Sequence, residues 1–260
     1  MDKTTIPGIA FGIGMILLGQ KLEGGHAGSL LQLTAFMIVV GGTIGAVMVS
    51  YPLSEVIGGI KGFGLALKEK PNDIVPLMAQ LVELATVARR DGVLALESKL
   101  AEIKDPFLKR ALGFLVDGVE ASVARNTLET EIEVEAEEGG VVAKFWGDFG
   151  ALCPTVGVLG AVLGLIHVME NLDNPAALGP GIAVAFVATV YGVGVANLMA
   201  LPLSNKIKRK ISLEKERKTL IAEGVLSIQE GLNPRILEEK LKSFAGSHGH
   251  HAKPSGGDKK

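Results

Sequence analysis

The sequence predicts an all-α membrane protein: four transmembrane helices with a helical cytoplasmic domain between helices 2 and 3. The first observation behind this is segregation. Of 260 residues, 48% are apolar and 21% charged. Yet the windows 5–20, 32–51, 149–169 and 181–203 contain no Asp, Glu, Lys or Arg. The second is length. A helix needs about 20 apolar residues to cross a hydrocarbon core of about 30 Å. The last three windows meet this, and the shorter first one suits a slightly thinned bilayer. The third is charge bias. The loops 21–31 and 170–180 carry one Lys and no Lys or Arg respectively, whereas 52–148 carries 11 and 204–260 carries 13. Positive charge stays inside, so both short loops face out, and the middle segment and both termini face the cytoplasm. A soluble domain would mix apolar and charged residues along amphipathic elements. One soluble globular domain, a disordered chain and a disulfide scaffold are thereby excluded. The formal net charge of −2 gives no bulk basic excess for nucleic acid.

In chain order, residues 1–51 hold helices 1 and 2. The first is read as a retained helix and not as a signal peptide. Lys3 is offset by Asp2, and Gly24-Gly25-His26 is not a small-x-small cleavage site. Residues 52–148 form the cytoplasmic domain. Asn72 or Asp73 caps a helix to about Arg90, with Ile74, Leu77, Met78, Leu81, Leu84 and Ala85 on one face. Asp91-Gly92 breaks it, and a short helix follows from Val93 to about Ile103. Asp105-Pro106 opens a longer helix, with proline at its first position and a stripe of Leu108, Leu112, Leu115, Val116, Val119 and Val123. Residues 128–137 alternate acidic and other residues like a strand, but their glutamate content and helical neighbours favour a helix. Its acids are either a solvated face or a cation-attracting collar below the third span. Helices 3 and 4 fill 149–203, and a helical segment fills 204–245. Residues 246–260 read as a disordered tail, whose His248, His250 and His251 are a weak metal-binding candidate. The lone Cys153, inside the third span, is expected to be a small buried apolar group.

The spans carry small residues at helix-packing spacing: Gly8 and Gly12, Gly41 and Gly45, Gly160 and Gly164. Such pairs let backbones approach, within one copy and between copies. They carry no acid, although a proton path across a membrane usually shows one. Either no ion moves, or the titrating acid belongs to another chain. Hydroxyls and helix breaks are present instead. Pro154 removes the helical bond to the Gly150 carbonyl and bends the third span. Thr155 adjoins it, Thr189 and Tyr191 lie within the fourth span, and Pro202 lies near that span's inner end. A freed carbonyl and hydroxyls solvate water or a partly dehydrated cation, unless the threonines only bond back to their own helix.

The runs 88–97 (ARRDGVLALE), 154–167 (PTVGVLGAVLGLIH) and 179–192 (GPGIAVAFVATVYG) are similar to the stator subunits of the bacterial flagellar motor, in the MotA/TolQ/ExbB proton channel family. The resemblance spans about residues 5–230, with four spans, a large loop after the second and a basic tail. It implies a homo-oligomer, a pentamer, around a dimer of MotB. That partner's single membrane helix supplies the ion-carrying aspartate. It implies that ion flow turns the ring and that the cytoplasmic domains drive the rotor protein FliG. By the same resemblance, Arg89 and Glu97 are the rotor-facing pair, with Arg90 as the alternative to Arg89. Pro154 and Pro202 couple ion flow to movement. Thr155 and Thr189 line the ion route, where Ala188 and Tyr191 are further candidates. It places the chain in the bacterial inner membrane, with no cofactor and no metal.

Sodium-driven relatives tend to have two successive threonines where this chain has Ala188-Thr189, so the expected ion is H+ and not Na+. A TolQ/ExbB-type energiser of envelope processes is the competing reading, but it generally has three spans. A non-conducting scaffold is the other. An enzyme is not expected, because no nucleophile–base pair, metal cluster or phosphate loop occurs.

Overall fold

The computed structural model describes residues 4–67 and 74–248. Every regular element in it is helical: α1 (Thr5–Leu22), α2 (Leu33–Phe36), α3 (Gly42–Ser50), α4 (Leu53–Leu67), α5 (Ile74–Asp91), α6 (Glu97–Leu100), α7 (Pro106–Val116), α8 (Ala121–Glu170), α9 (Pro175–Val195), α10 (Leu201–Gln229) and α11 (Pro234–His248), with short 3-10 turns at Ala27–Leu30 and Val93–Leu96. Four helical stretches are long and apolar enough to cross a membrane: Thr5–Leu22, Ala27–Ser50, and stretches within Ala121–Glu170 and Leu178–Gln229. They correspond to the four charge-free windows. Residues 72 and 73, the expected cap of α5, lie outside the described residues, as do His250 and His251. Helix α11 continues to His248, three positions into the segment read as a tail.

Two compact units divide the chain, residues 1–70 with 138–210 and residues 71–137 with 211–260. The dividing points fall inside α8 and α10, so both long helices serve both units.

In the first unit, Ala35, Val39, Val47, Phe145, Phe149, Cys153, Val187, Ala188, Ala196 and Ala200 form the core. Cys153 is buried there, as expected of a small apolar group. Helix α1 buries no side chain, and large apolar residues on α8 and α9, such as Val158, Leu159 and Phe186, are exposed on the single chain. In water such a surface would be a liability; in lipid or against another copy it is the expected one. Two π turns interrupt the spans, Met37–Gly41 between α2 and α3 and Ala196–Ala200 between α9 and α10. The second has a local cause. Pro202 has no N–H to offer Leu198, and its ring crowds that carbonyl; widening the preceding turn relieves both. Beyond the end of α3, Trp146 Nε1 donates to the Gly59 carbonyl (2.9 Å) within a cluster of Tyr51, Phe63, Phe145 and Phe149, pinning α4 to α8. Lys210 Nζ donates to the Ala66 carbonyl (2.6 Å) in the last turn of α4, where a cation also meets the negative end of the helix dipole.

The second unit is a soluble-type core. Leu81, Leu96, Leu108, Leu112, Leu128, Leu220, Ile221, Leu237 and Leu241 are its central buried residues. The stripe expected to run on to Val123 is corrected. The helix from Pro106 ends at Val116, and α8 starts afresh at Ala121. Gly118 adopts φ +69°, a conformation that favours glycine. Its N–H donates to Leu115 O (3.3 Å), and that of Val119 to Phe114 O (3.0 Å), closing α7 in a Schellman motif. Val123 is half exposed as a result. The alternating segment 128–137 is helical, within α8. Three of its five acids are paired. Glu129 pairs with Arg125 (3.7 Å), Glu131 with Arg110 (2.6 Å) and Glu135 with Lys218. Lys218 also sits over the Phe107 ring (4.8 Å), so a largely buried cation has an anionic and an aromatic partner.

Candidate functional site

The residues singled out fall into two sets. The first lies where α8, α9 and α10 meet. A glycine seam joins α8 to α9. A Cβ on Gly157 would stand 3.0 Å from the Ala188 carbonyl and from Gly192 Cα; one on Gly164 would stand 2.7 Å from Ala185 N. Only bare backbones fit there. By contrast a Cβ on Gly8, Gly41 or Gly45 would meet nothing within 4 Å, and one on Gly12 only Leu198 at 3.3 Å. Of the small-residue pairs, the one in α8 is thus spent inside the chain.

This seam positions the prolines. A Cβ on Gly192 would meet Cys153 O at 2.8 Å and Pro154 Cα at 3.2 Å, so α9 is seated on the break in α8. Gly150, whose carbonyl Pro154 deprives of its helical donor, is in turn covered by Leu201, 2.7 Å from where a Cβ would be. Leu201 immediately precedes Pro202. The two expected break points therefore touch: the weakened turn of α8 lies against the residue that leads into the second proline.

The four expected ion-route residues separate into two pairs. Thr155 and Thr189 are both exposed on the single chain. Thr155 Oγ1 donates to Leu152 O (2.7 Å) and Thr189 Oγ1 to Ala185 O (3.3 Å). Each spends its proton on its own helix and leaves its lone pairs outward. Ala188 is corrected: it is fully buried, with its methyl 2.8 Å from where a Cβ on Gly160 would stand, and lines no open surface. Tyr191 is half-buried and tied down. Its hydroxyl donates to Leu30 O (2.5 Å) and accepts from the Gln32 N–H (3.3 Å), with its ring edge-on to Phe36 (6.4 Å). It fastens the connection before α2 to α9. Sequence patterning misses this because the partners are backbone groups about 160 positions away.

The second set is the turn between α5 and α6. Gly92 has φ +86°, which ends α5 and turns the chain into the 3-10 turn Val93–Leu96 and then α6. The short helix expected to reach Ile103 ends at Leu100. Leu96 is buried as the anchor, so Arg89, Arg90, Asp91 and Glu97 stand exposed around a fixed tip. Arg90 is tied down: its Nε and Nη2 donate to the two Asp91 oxygens (2.9 and 2.7 Å). These hydrogen bonds hold the Asp91 carboxyl below its ordinary value. Among the described residues, neither Arg89 nor Glu97 has an ion pair, so both are available to a partner. Geometry separates the two arginines where sequence alone leaves them as alternatives.

Residues 99–219 match the family model described as MotA/TolQ/ExbB proton channel family, and residues 6–92 that of Motility protein A N-terminal. The chain is 37% identical to Motility protein A of Bacillus subtilis over 245 residues, 94% of this chain and 91% of that one. It is 34% identical to Chemotaxis protein PomA of Vibrio alginolyticus over 244 residues, 94% and 95% of the two chains. Among solved structures, that of C. jejuni MotAB matches with a TM-score of 0.90 at 37% identity, covering 98% of both chains. The likeness extends through all four spans, which sets aside the envelope-energiser reading. The chain belongs to the Motility protein A branch of the MotA/TolQ/ExbB proton channel family, the multi-pass, non-enzymatic stator subunits of the flagellar motor.

Proposed function

We propose that this chain conducts protons jointly with MotB and converts their flow into movement of the rotor protein FliG. Copies of the chain, five by the family resemblance, surround a MotB dimer whose aspartate carries the ion. One observation carries this reading: the four spans hold no carboxylate, in a chain whose family is a proton channel. The acid must come from a neighbour. The apolar faces of α1, α8 and α9, unburied in the single chain, provide surface for such neighbours and for lipid. Thr155 and Thr189 turn hydroxyl lone pairs toward that surface. The contact between the Gly150 and Pro202 regions supports a path from ion passage to helix movement. The chain sits in the bacterial inner membrane with both termini in the cytoplasm. The Thr4–Lys206 contact (3.1 Å) supports this, because it sets the start of α1 beside the basic cluster after the fourth span.

Proton use is favoured over sodium use because a dehydrated sodium ion needs several oxygen ligands, and of the four route candidates only Thr155 and Thr189 are exposed hydroxyl residues. Expression in a bacterium lacking its own stator subunit, with the matching MotB, is expected to restore swimming in sodium-free medium. Swimming only when sodium is added would overturn the ion assignment.

Arg89 and Glu97 act on FliG through complementary charge. Arg89→Glu is expected to reduce swimming speed to below roughly a tenth, because an opposed like charge costs several kcal/mol. Arg90→Ala, which removes a guanidinium already tied to Asp91, is expected to keep about half or more, since a rim charge mainly tunes encounter. Speed measured by tracking, with membrane levels of both variants checked, separates them.

A further inference from the structure

The ion route as drawn ends among hydroxyls and gives a proton no acceptor on its way to the cytoplasm. Asp148 is the first ionisable residue of α8 on the cytoplasmic side of the charge-free window 149–169. It is half-buried and lies in sequence among Phe145, Trp146 and Phe149. One carboxylate oxygen, Oδ2, accepts a hydrogen bond from the Tyr51 hydroxyl at 2.5 Å. The other, Oδ1, has no donor among the described residues. Asp148 and Thr155 are seven positions apart, so they share a face of α8, separated by about 10.5 Å of rise. Pro154 breaks the helix between them.

We infer that Asp148 is a relay carboxylate on the cytoplasmic side of the proton path, held ready by Tyr51. This rests on the proton-channel reading above. The chemistry follows from the two oxygens. A proton arriving through water forms an O–H bond at Oδ1, giving the neutral acid. It then leaves from Oδ1 to cytoplasmic water, and the carboxylate is restored. No electrons move. Throughout, Oδ2 keeps its bond from Tyr51, because a carboxyl and a carboxylate both accept there. Neither state needs the side chain to rotate, and Oδ2 keeps its donor in both. Tyr51 is a positioning residue. Glu55, the other acid near Tyr51, makes no hydrogen bond to it among the described residues.

A merely structural latch between the end of α3 and α8 would use the same two residues, and isosteric substitution tells the two roles apart. The chain and its MotB are co-expressed with the plug segment of MotB removed, and proton influx is followed by a cytoplasmic pH reporter. Asp148→Asn keeps an acceptor for Tyr51 and loses the proton site. It is expected to lower influx about tenfold or more, within the range of positioned proton-transfer groups. Asp148→Glu is expected to restore most of it, and Glu55→Gln to leave it unchanged. Tyr51→Phe breaks the latch but keeps the carboxylate, and is expected to retain more than half of the influx. The reverse order, with Asp148→Asn conducting and Tyr51→Phe not, overturns the inference, as does loss of MotB co-purification with Asp148→Asn. If the unsubstituted complex carries no protons, the channel reading fails instead.

Discussion

Gly192→Ala is expected to abolish swimming and to reduce sharply the amount of assembled complex. The added methyl would lie 2.8 Å from Cys153 O, 3.0 Å from Gly157 Cα and 3.2 Å from Pro154 Cα. All three neighbours are backbone atoms, so no side-chain rotamer can yield and α9 must move away from α8. Overpacking a fitted interior costs about 1–3 kcal/mol when side chains can shift, and contact with backbone belongs at or above the top of that range. The displacement also falls on the break at Pro154, so function suffers beyond the loss of stability. Gly194→Ala is the control. Its Cβ would meet nothing within 4 Å, and alanine in a helix is favoured over glycine by roughly 0.5–1 kcal/mol. Swimming speed and the yield of chain co-purifying with tagged MotB measure both variants. Equal yields for the two would show that the seam is not tight.

Asp105→Ala carries the second large effect, on the unit that bears the Arg89–Glu97 turn. One oxygen of Asp105 accepts from the N–H groups of Phe107 (2.9 Å) and Leu108 (3.0 Å), capping α7, with Pro106 preset for the first turn. The other pairs with Arg217 of α10, in a site where the side chains are only 16% and 19% exposed. Loss of the cap costs about 1 kcal/mol. Breaking a buried ion pair costs about 3–5 kcal/mol; partial exposure and Glu214, 3.5 Å from the same guanidinium, lower that figure. A total of roughly 2–4 kcal/mol is expected from the two terms. Asp105→Asn keeps the cap and should cost less than Asp105→Ala. Thermal unfolding of the purified complex, read by helical circular dichroism, gives the order: unsubstituted, then Asn, then Ala. If Asn is as damaging as Ala, the cap contributes nothing.

Much of the architecture is legible in the sequence because lipid imposes a simple rule: a span must be long, apolar and charge-free, and windows at 32–51, 149–169 and 181–203 meet it outright. The break at Asp91-Gly92 and the Asp105-Pro106 start are legible because local turn chemistry fixes them. Asp117-Gly118 carries the same kind of signal, and an apolar stripe running on to Val123 hides it. What sequence does not reveal is which neighbour each polar group finds. Tyr191 reads as a route hydroxyl until its bonds to Leu30 and Gln32 are seen. Arg90 stands as the alternative to Arg89 on paper until Asp91 is seen to hold it. Ala188 reads as a gap in a threonine pair, whereas its burial against Gly160 comes from how two helices meet. The π turn before Pro202 is likewise a compromise between proline sterics and continued packing, and no residue pattern announces it.

The most direct test of the central claim is proton flux into liposomes holding the purified chain alone, compared with liposomes holding the chain co-assembled with MotB whose plug is removed. Flux is read from a pH-sensitive dye under an imposed potential. The lack of any carboxylate in the spans predicts background flux for the chain alone and clear flux for the complex, lost again when MotB's membrane aspartate is replaced by asparagine. Equal flux with and without MotB would contradict the account.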